Sequence, residues 1–484
     1  MKYHIGVDVG ASSGRLILSY KDEKIISKEI HRFKNSFKKS SGKDRWDIAY
    51  IIDEILKGLV KVKKLGISSC SLGIDTWAVD YVLLGNNGKI LDNPVSYRDK
   101  RTEGIMDKFF EEIPKREIYE KTGIQFLNFN TIYQLFTEDK KTLEKTKYIM
   151  MIPDYISYYL TGKAYSEVTN SSTGQYLNIR NRNFDEEILS KVGIDIKKFP
   201  PLIEPGEVIG DIKEEFYEKY DLPKTRLIAV ASHDTASAIV GIPAVEEDWA
   251  YISSGTWSLI GIESDKAFIN EKTYQENYTN EWGVFKSYRV LKNITGMWII
   301  QKILKELPRS YSYEELKKIT KNIKPFSQFI DLNDQRFLNP KSMIGEIKDY
   351  CIESNQKIPE SIGEIIMSIY SNLALKYALE FKNLEKIRKR KIKIIHIVGG
   401  GSAVEILNQL TANLTACKIY AGPKESTGLG NISLQMIAEG EIKNLQEARK
   451  LIKESVDIKI FEPEENFEEV FKSYEKFIGE KNVQ

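Results

Sequence analysis

Two segments of this chain follow one plan half a chain apart, and they constrain the fold more than any other feature. At the N-terminus "YHIGVDV" alternates as a strand, "GASSG" turns, and "RLILSY" returns as a second strand. At 249–263, "WAYISSGTWSLIGIE" repeats the order of strand, Gly-containing hydroxyl-rich turn and strand. A chain of 484 residues exceeds one hydrophobic core, because single cores stop growing near ~250–300 residues. A hairpin near the start of each half therefore predicts two domains, with the boundary near Pro243 to Asp248 and the halves at 1–243 and 244–484.

Between the hairpins, strands alternate with helices, which places the chain in the α/β class. "KIISKEIHRF" extends the first hairpin, and apolar residues recur at helical spacing over 47–64. The strands "GISSCSLGID" and "VDYVLL" follow, then helices near 101–120, 131–145 and 153–161. The strand "RLIAVAS" (226–232) runs into a helix start at "HDTASAIVGI". A long helix near 361–390, the strand "KIIHIVGG" and a helix from about Ser402 repeat the pattern. Lys plus Arg (71) nearly cancels Asp plus Glu (69), so no basic excess exists to neutralise a nucleic-acid backbone. The runs "KIRKRKIK" and "KVKKL" read as solvated helix faces. No signal peptide and no run of ~18 apolar residues occurs. The three cysteines are widely spaced, which excludes a disulfide framework and a CxxC metal site; a reducing cytoplasm is expected.

Gly10-Ala11-Ser12-Ser13-Gly14 formally matches the GxSxG elbow of serine hydrolases, but that elbow needs a helix after it, and "RLILSY" reads as a strand. A tight hairpin is the plain reading. The functional one is that small residues let backbone N–H groups and hydroxyls approach a phosphate, with Asp8 holding Mg²⁺ through water. Gly255-Thr256 offers the same chemistry. Neither GxxxxGK[ST] nor a strand-linked GxGxxG is present, which disfavours P-loop and Rossmann enzymes. In "SHDTAS", Asp234 reads either as a helix cap or as a carboxylate that accepts a hydroxyl proton during phosphoryl transfer. Asp75, Trp77 and Asp80 in "GIDTWAVDYVLL" read as a buried tryptophan with two loop carboxylates, or as a sugar site. Gly399-Gly400-Gly401-Ser402 is a strand-to-helix turn that could also expose bare backbone to adenine or ribose, and Gly428-Leu429-Gly430-Asn431 reads as structural.

Taken together, these segments resemble the FGGY family of carbohydrate kinases, within the actin/hexokinase-like ATPase superfamily. "DVGASSGR", "GIDTWAVDYVLL", "YRDKRT", "GIQFLNFNTIYQL", "PDYISYYLTGK", "ASHDTASA", "SSGTWSLIG", "YRVLKNITGMW", "HIVGGG" and "AGPKESTGLGNI" run in the family's order from residue 8 to about 432. The resemblance implies two ribonuclease-H-like domains with ATP and a ketose in the cleft between them. It implies a sugar-binding first half carrying the catalytic base and a nucleotide-binding second half. Residue by residue, it implies that Ala11, Ser12, Ser13, Gly14 and Arg15 contact ATP phosphates and that Asp8 supports Mg²⁺. His233, Asp234 and Thr235 would meet the sugar together with Asp75, Trp77, Ala78 and Asn293, with Asp234 as proton acceptor. Thr256 and Gln301 would serve ATP, and Gly400 or Gly401 the adenosine. The implied reaction is L-rhamnulose plus ATP giving L-rhamnulose 1-phosphate plus ADP. Small molecules would be its only partners, with no nucleic acid or membrane, in a cytoplasmic monomer or homodimer. Two departures bear on the ketose: Ala78 stands where the L-rhamnulose branch reads glycine, and Trp282 is expected at the cleft rim. The rival readings are another family kinase (for fuculose, xylulose, ribulose or glycerol), a non-catalytic sugar sensor on this fold, and the GxSxG hydrolase.

Overall fold

The first hairpin forms as the alternation predicts, and a six-stranded sheet is built on it. In the computed structural model, which describes residues 1–481, the strand order is Val208–Asp211, Lys224–Ile228, Ser69–Thr76, His4–Val9, Ser13–Lys21, Ile25–Lys34. His4–Val9 pairs antiparallel with Ser13–Lys21 and parallel with Ser69–Thr76, which sets Asp8 beside Asp75 at the carboxyl ends. The helix Ile48–Lys64 begins where the Asp47 side chain accepts the Tyr50 N–H, and it ends in three lysines that suit the negative end of its dipole. Its buried face of Ile51, Ile55, Leu59 and Val62 joins Val7, Leu16 and Leu72 in one core.

Local chemistry splits two helices that periodicity alone runs together. Pro114 divides 101–120 into Ile105–Glu112 and Lys115–Thr122, and Asp139 caps a separate Lys140–Lys145 after Thr131–Phe136. The strand expected over 226–232 ends at Ile228. Beyond it a single bridge to Thr76 remains, and the other backbone groups of Ser232 and His233 are bonded as described below.

Two compact units result, interleaved in sequence. One comprises Met1–Val245, Glu263–Val290 and Ser426–Ser455; the other comprises Glu246–Ile262, Leu291–Glu425 and the chain from Val456 onward. Among the downstream segments of the first unit, the helix Ser426–Ala438 lies on its sheet. Gln435 Nε2 donates to the Ile5 carbonyl at 3.0 Å, and Asn431 Nδ2 donates to the Gly73 carbonyl at 3.2 Å. The same helix crosses Asp234–Val240 at backbone contact. A Cβ on Gly430 would lie 1.8 Å from the Ser237 carbonyl, and one on Gly241 would lie 2.0 Å from that of Ser426.

The second unit repeats the hairpin. Trp249–Ser254 pairs antiparallel with Trp257–Ser264 and parallel with Ile394–Val398. The latter pairs parallel with Lys418–Ala421, which carries the antiparallel Lys459–Phe461. The long helix Ile362–Arg388 starts from a capping box of Ser361 and Glu364 and packs on Glu405–Thr415. The glycine turn continues as a short 3-10 turn, Gly400–Ala403, so the helix expected from Ser402 begins at Glu405. No helix among the described residues is long and apolar enough to cross a membrane.

Candidate active site

The GASSG turn is a strand-to-strand turn, so Ser12 does not sit on a nucleophile elbow. Gly10 N–H donates to the Ser13 carbonyl at 2.9 Å, and Asn35 donates to the carbonyls of Gly10 (2.9 Å) and Ser12 (3.0 Å). This pins the turn while leaving Ser12 exposed. Gly14 answers a packing demand, since a Cβ there would meet the Phe33 ring at 2.2 Å. Arg15 donates from Nε (3.0 Å) and Nη2 (2.8 Å) to Asp8 Oδ2, so the residue expected at phosphate and the one expected at Mg²⁺ are paired.

Asp75, beside Asp8, is fully buried and accepts from Asn431 Nδ2 at 2.6 Å. Its other oxygen, Oδ1, is buried without a hydrogen-bond partner. Burial pushes the Asp75 carboxyl well above the usual carboxylate range. The charges of Asp8 and Asp234 push the same way, against the Asn431 hydrogen bond and Arg15. Trp77 is 5 % exposed, and its ring packs on Trp46 at 4.4 Å between centroids, with Ala78 half-buried next to it. Both indole N–H groups converge on Asp80 Oδ2, at 2.6 Å from Trp46 and 2.9 Å from Trp77. Burial nevertheless pushes the Asp80 carboxyl up to about 6. Trp282 corrects the rim expectation. It is 1 % exposed, its N–H donates to Ser172 Oγ, and the Arg182 guanidinium covers its ring at 4.2 Å.

At the corner after the Lys224–Ile228 strand, His233 precedes the helix Asp234–Val240 and makes no side-chain cap bond. Asp234 is the first helical residue, not the cap. Its Oδ1 accepts from Thr235 N (2.6 Å) and Thr235 Oγ1 (3.2 Å), and a third of its side chain is exposed. His233 Nε2 lies 3.5 Å from Asp234 Oδ1. Its Nδ1 faces Arg289 Nη2 at 3.2 Å and Glu281 Oε2 at 3.4 Å. Burial opposes ionisation of Glu281, but the Arg289 charge 2.9 Å away, with His233 beside it, holds its carboxyl below the usual range.

The second unit holds the remaining candidates. The Thr256 hydroxyl donates to Gln301 Oε1 at 3.5 Å, and the N–H groups of Met297 and Trp298 donate to the carbonyls of Gly255 and Thr256. The turn thus sits on the start of the helix Trp298–Glu306. Asn293 is half-buried on the strand Tyr288–Thr295. Gly401 is closed in, since a Cβ would lie 2.0 Å from Ser254 Oγ, whereas Gly400 is exposed and would meet nothing nearer than 4.0 Å. Among the described residues no group of three or more His, Cys, Asp or Glu side chains is arranged to hold a metal.

Sequence reading passed over Glu167, Glu281 and Arg289. Glu167 looks like a helix cap, which it also is, but its contacts with Ser232 span 65 positions and leave no local pattern.

Residues 3–241 match the N-terminal domain of the FGGY family of carbohydrate kinases, and residues 250–439 match its C-terminal domain. A rhamnulokinase of Ligilactobacillus salivarius is 52% identical over 481 residues, covering 99% of both chains. A rhamnulokinase of Bacillus subtilis is 50% identical over 463 residues, covering 96% of each. Among solved structures, a ligand-bound xylulose kinase from Lactobacillus acidophilus superposes with a TM-score of 0.81 at 20% identity, covering 98% of this chain and 96% of that one. Plasmodium falciparum glycerol kinase with ADP gives 0.79 at 17% identity, covering 100% and 98%. At that identity the two structures establish the fold alone.

Proposed function

The chain belongs to the FGGY family of carbohydrate kinases, and from that premise we propose that it transfers the γ-phosphoryl group of ATP to L-rhamnulose, giving L-rhamnulose 1-phosphate. The carrying observation is the Asp234 carboxylate, a third exposed at a strand-to-helix corner and backed by His233. The sugar is taken from the rhamnulokinases that match almost the whole chain.

In this reading the ketose hydroxyl gives its proton to Asp234 as its oxygen attacks the γ-phosphorus. His233 and Thr235 orient the hydroxyls, with Ala78 and Asn293 as further sugar contacts and Asp75 and Trp77 supporting them from the interior. The turn Ala11–Arg15 receives the phosphates, Thr256 and Gln301 serve ATP, and Gly400 lies at the adenosine. In this assignment the first half of the chain (1–243) carries the base, most of the sugar contacts and the phosphate turn, and the second half (244–484) adds Asn293 for the sugar and Thr256, Gln301 and Gly400 for the nucleotide. Bound with ATP, Mg²⁺ supplies positive charge against the phosphates. Asp8 is the residue to hold it, and the orphaned Oδ1 of Asp75 next to Asp8 fits a cation there. The enzyme would work in the cytoplasm on small molecules.

A coupled ADP-release assay over a ketose and polyol panel tests the substrate. L-rhamnulose should give the highest kcat/KM, L-fuculose should come nearer and glycerol should be very poor. A site that hydrogen-bonds particular hydroxyls rejects an analogue lacking one by ~10⁴ or more, whereas one methyl, such as that of Ala78, discriminates only ~10–200-fold. If D-xylulose or glycerol ranks first, the L-rhamnulose assignment is wrong.

A further inference from the structure

We propose that Glu167 is a positioning residue for phosphoryl transfer, fixing the backbone corner from which Asp234 projects; this rests on the reading of Asp234 as the base. Glu167 is 2 % exposed and accepts five hydrogen bonds. Three are local, from Thr169 N (2.8 Å), Thr169 Oγ1 (2.7 Å) and Asn170 N (3.1 Å). The other two come from across the unit, from Ser232 N (3.0 Å) and Ser232 Oγ (2.5 Å).

The residues that Glu167 caps complete the bracket. Asn170 Nδ2 donates to the Ser232 carbonyl at 3.2 Å, which also receives Thr76 N–H at 2.9 Å. His233 N–H is directed at Thr169 Oγ1 at 3.4 Å. Each backbone polar group from Ser232 N to His233 N therefore has a buried partner on this segment, and the next residue is Asp234. A single-turn helix, Val168–Ser171, does not need a buried carboxylate to start it, because a serine or asparagine caps as well without the desolvation cost. Burial pushes the Glu167 carboxyl up, and the Ser232 and Thr169 hydrogen bonds oppose it. No basic side chain pairs with it among the described residues, so neutral donors hold it in place. A second buried carboxyl, Asp154, accepts the Glu167 N–H at 3.2 and 3.3 Å. Beside both lies a cavity of about 20 Å³, room for about one water.

The geometry explains why an acceptor is needed here. Ser232 N–H and O–H point at a single oxygen, so a donor in its place would repel the corner and displace Asp234. A displacement of ~1 Å at a reacting group costs about 10²-fold in rate.

Four variants test this: Glu167→Gln, Thr169→Ser, Thr169→Val, and Asp234→Asn as the reference for the base. Steady-state kcat and KM for ATP and L-rhamnulose are measured with melting temperature. Glu167→Gln should lower kcat by about 10²-fold with KM for ATP nearly unchanged, the mark of an interaction realised in the transition state. Thr169→Ser keeps the hydroxyl that Glu167 and His233 share and should stay within a few-fold of wild type. Thr169→Val keeps the shape but loses the hydroxyl and should fall ~10-fold or more. A segment that acts through packing alone gives the opposite order, since serine then leaves a void and valine fills it; that order overturns the proposal. If Glu167→Gln does not fold, the Thr169 pair decides. Turnover lost in Asp234→Asn but intact in Thr169→Val removes the positioning role alone, whereas turnover retained in Asp234→Asn removes the base assignment beneath it.

Discussion

The Glu281 carboxylate and the Arg289 guanidinium lie 2.9 Å apart, with 7 % and 1 % of their side chains exposed, and both face the imidazole of His233. Removing one member of a buried pair strands the other charge, at a cost of about 3–5 kcal/mol. Arg289→Leu should therefore destabilise the protein by that order in chemical denaturation, and adding Glu281→Leu should recover part of the loss. Because the folded carboxyl titrates below its ordinary 4.5, the pair's stabilisation is present above that pH and is lost as pH falls through the folded value. Equal loss in the single and double variants would mean that the pair is not coupled.

Asp234→Asn keeps shape and hydrogen-bonding reach but removes the charge and basicity. A fall in kcat of ~10²–10⁴ is expected, the usual contribution of a positioned base. Melting temperature and ATP affinity should hold, since among the described residues Asp234 hydrogen-bonds to its neighbour Thr235 and lies 3.5 Å from His233. Turnover within a few-fold of wild type would place the base elsewhere.

Asp80 should give the protein an acid-range stability slope of unusual sign. Its folded carboxyl titrates near 6 against an ordinary 3.8. Between about pH 4 and 6 the native state thus keeps a proton that the unfolded chain has released, and stability falls as pH rises across that window. A shift of this size is worth about 3 kcal/mol. In Asp80→Asn, whatever its absolute stability, the difference between pH 4 and 6 should shrink by that order in urea melts. An unchanged slope assigns it to other groups.

The neighbouring glycines Gly400 and Gly401 should behave oppositely. Gly401→Ala drives a methyl into Ser254 Oγ and should cost ~1–3 kcal/mol, as overpacking does. Gly400→Ala meets open space and should leave melting temperature unchanged while weakening ATP binding by calorimetry. If both variants lose only stability, the turn has no part in nucleotide binding.

The α/β alternation was legible because each half opens on a hairpin whose residues alternate, and because the 47–64 face recurs at helical spacing. Asp234 was legible because the strand-to-helix corner is local and carries its carboxylate within a few residues. The interleaving of the units was not, since the helix Ser426–Ala438 joins the first sheet through Asn431 and Gln435, whose partners lie more than 350 positions away. Trp282 was misplaced for a related reason. The rim expectation came from a large residue standing where smaller ones were expected before "YRVLKN", and the Arg182 guanidinium that covers its ring is 100 positions away in sequence.

The crossing at Gly241 and Gly430 also sets an order of events during synthesis. Ser426 Oγ donates to the Ala238 carbonyl at 2.6 Å across 188 positions, and the two glycines let the helices meet backbone to backbone. The unit that begins at residue 1 thus lacks one of its layers until residues near 430 have left the ribosome. At ~5–20 residues per second, that is ~10–40 s after the Asp234 helix has emerged. Through that interval Gly6 and Gly73 present a bare strip of sheet, where Ile432 and Asn431 later pack, to whatever chaperone is at hand. The unit that begins at residue 1 is the first to be translated and among the last to close.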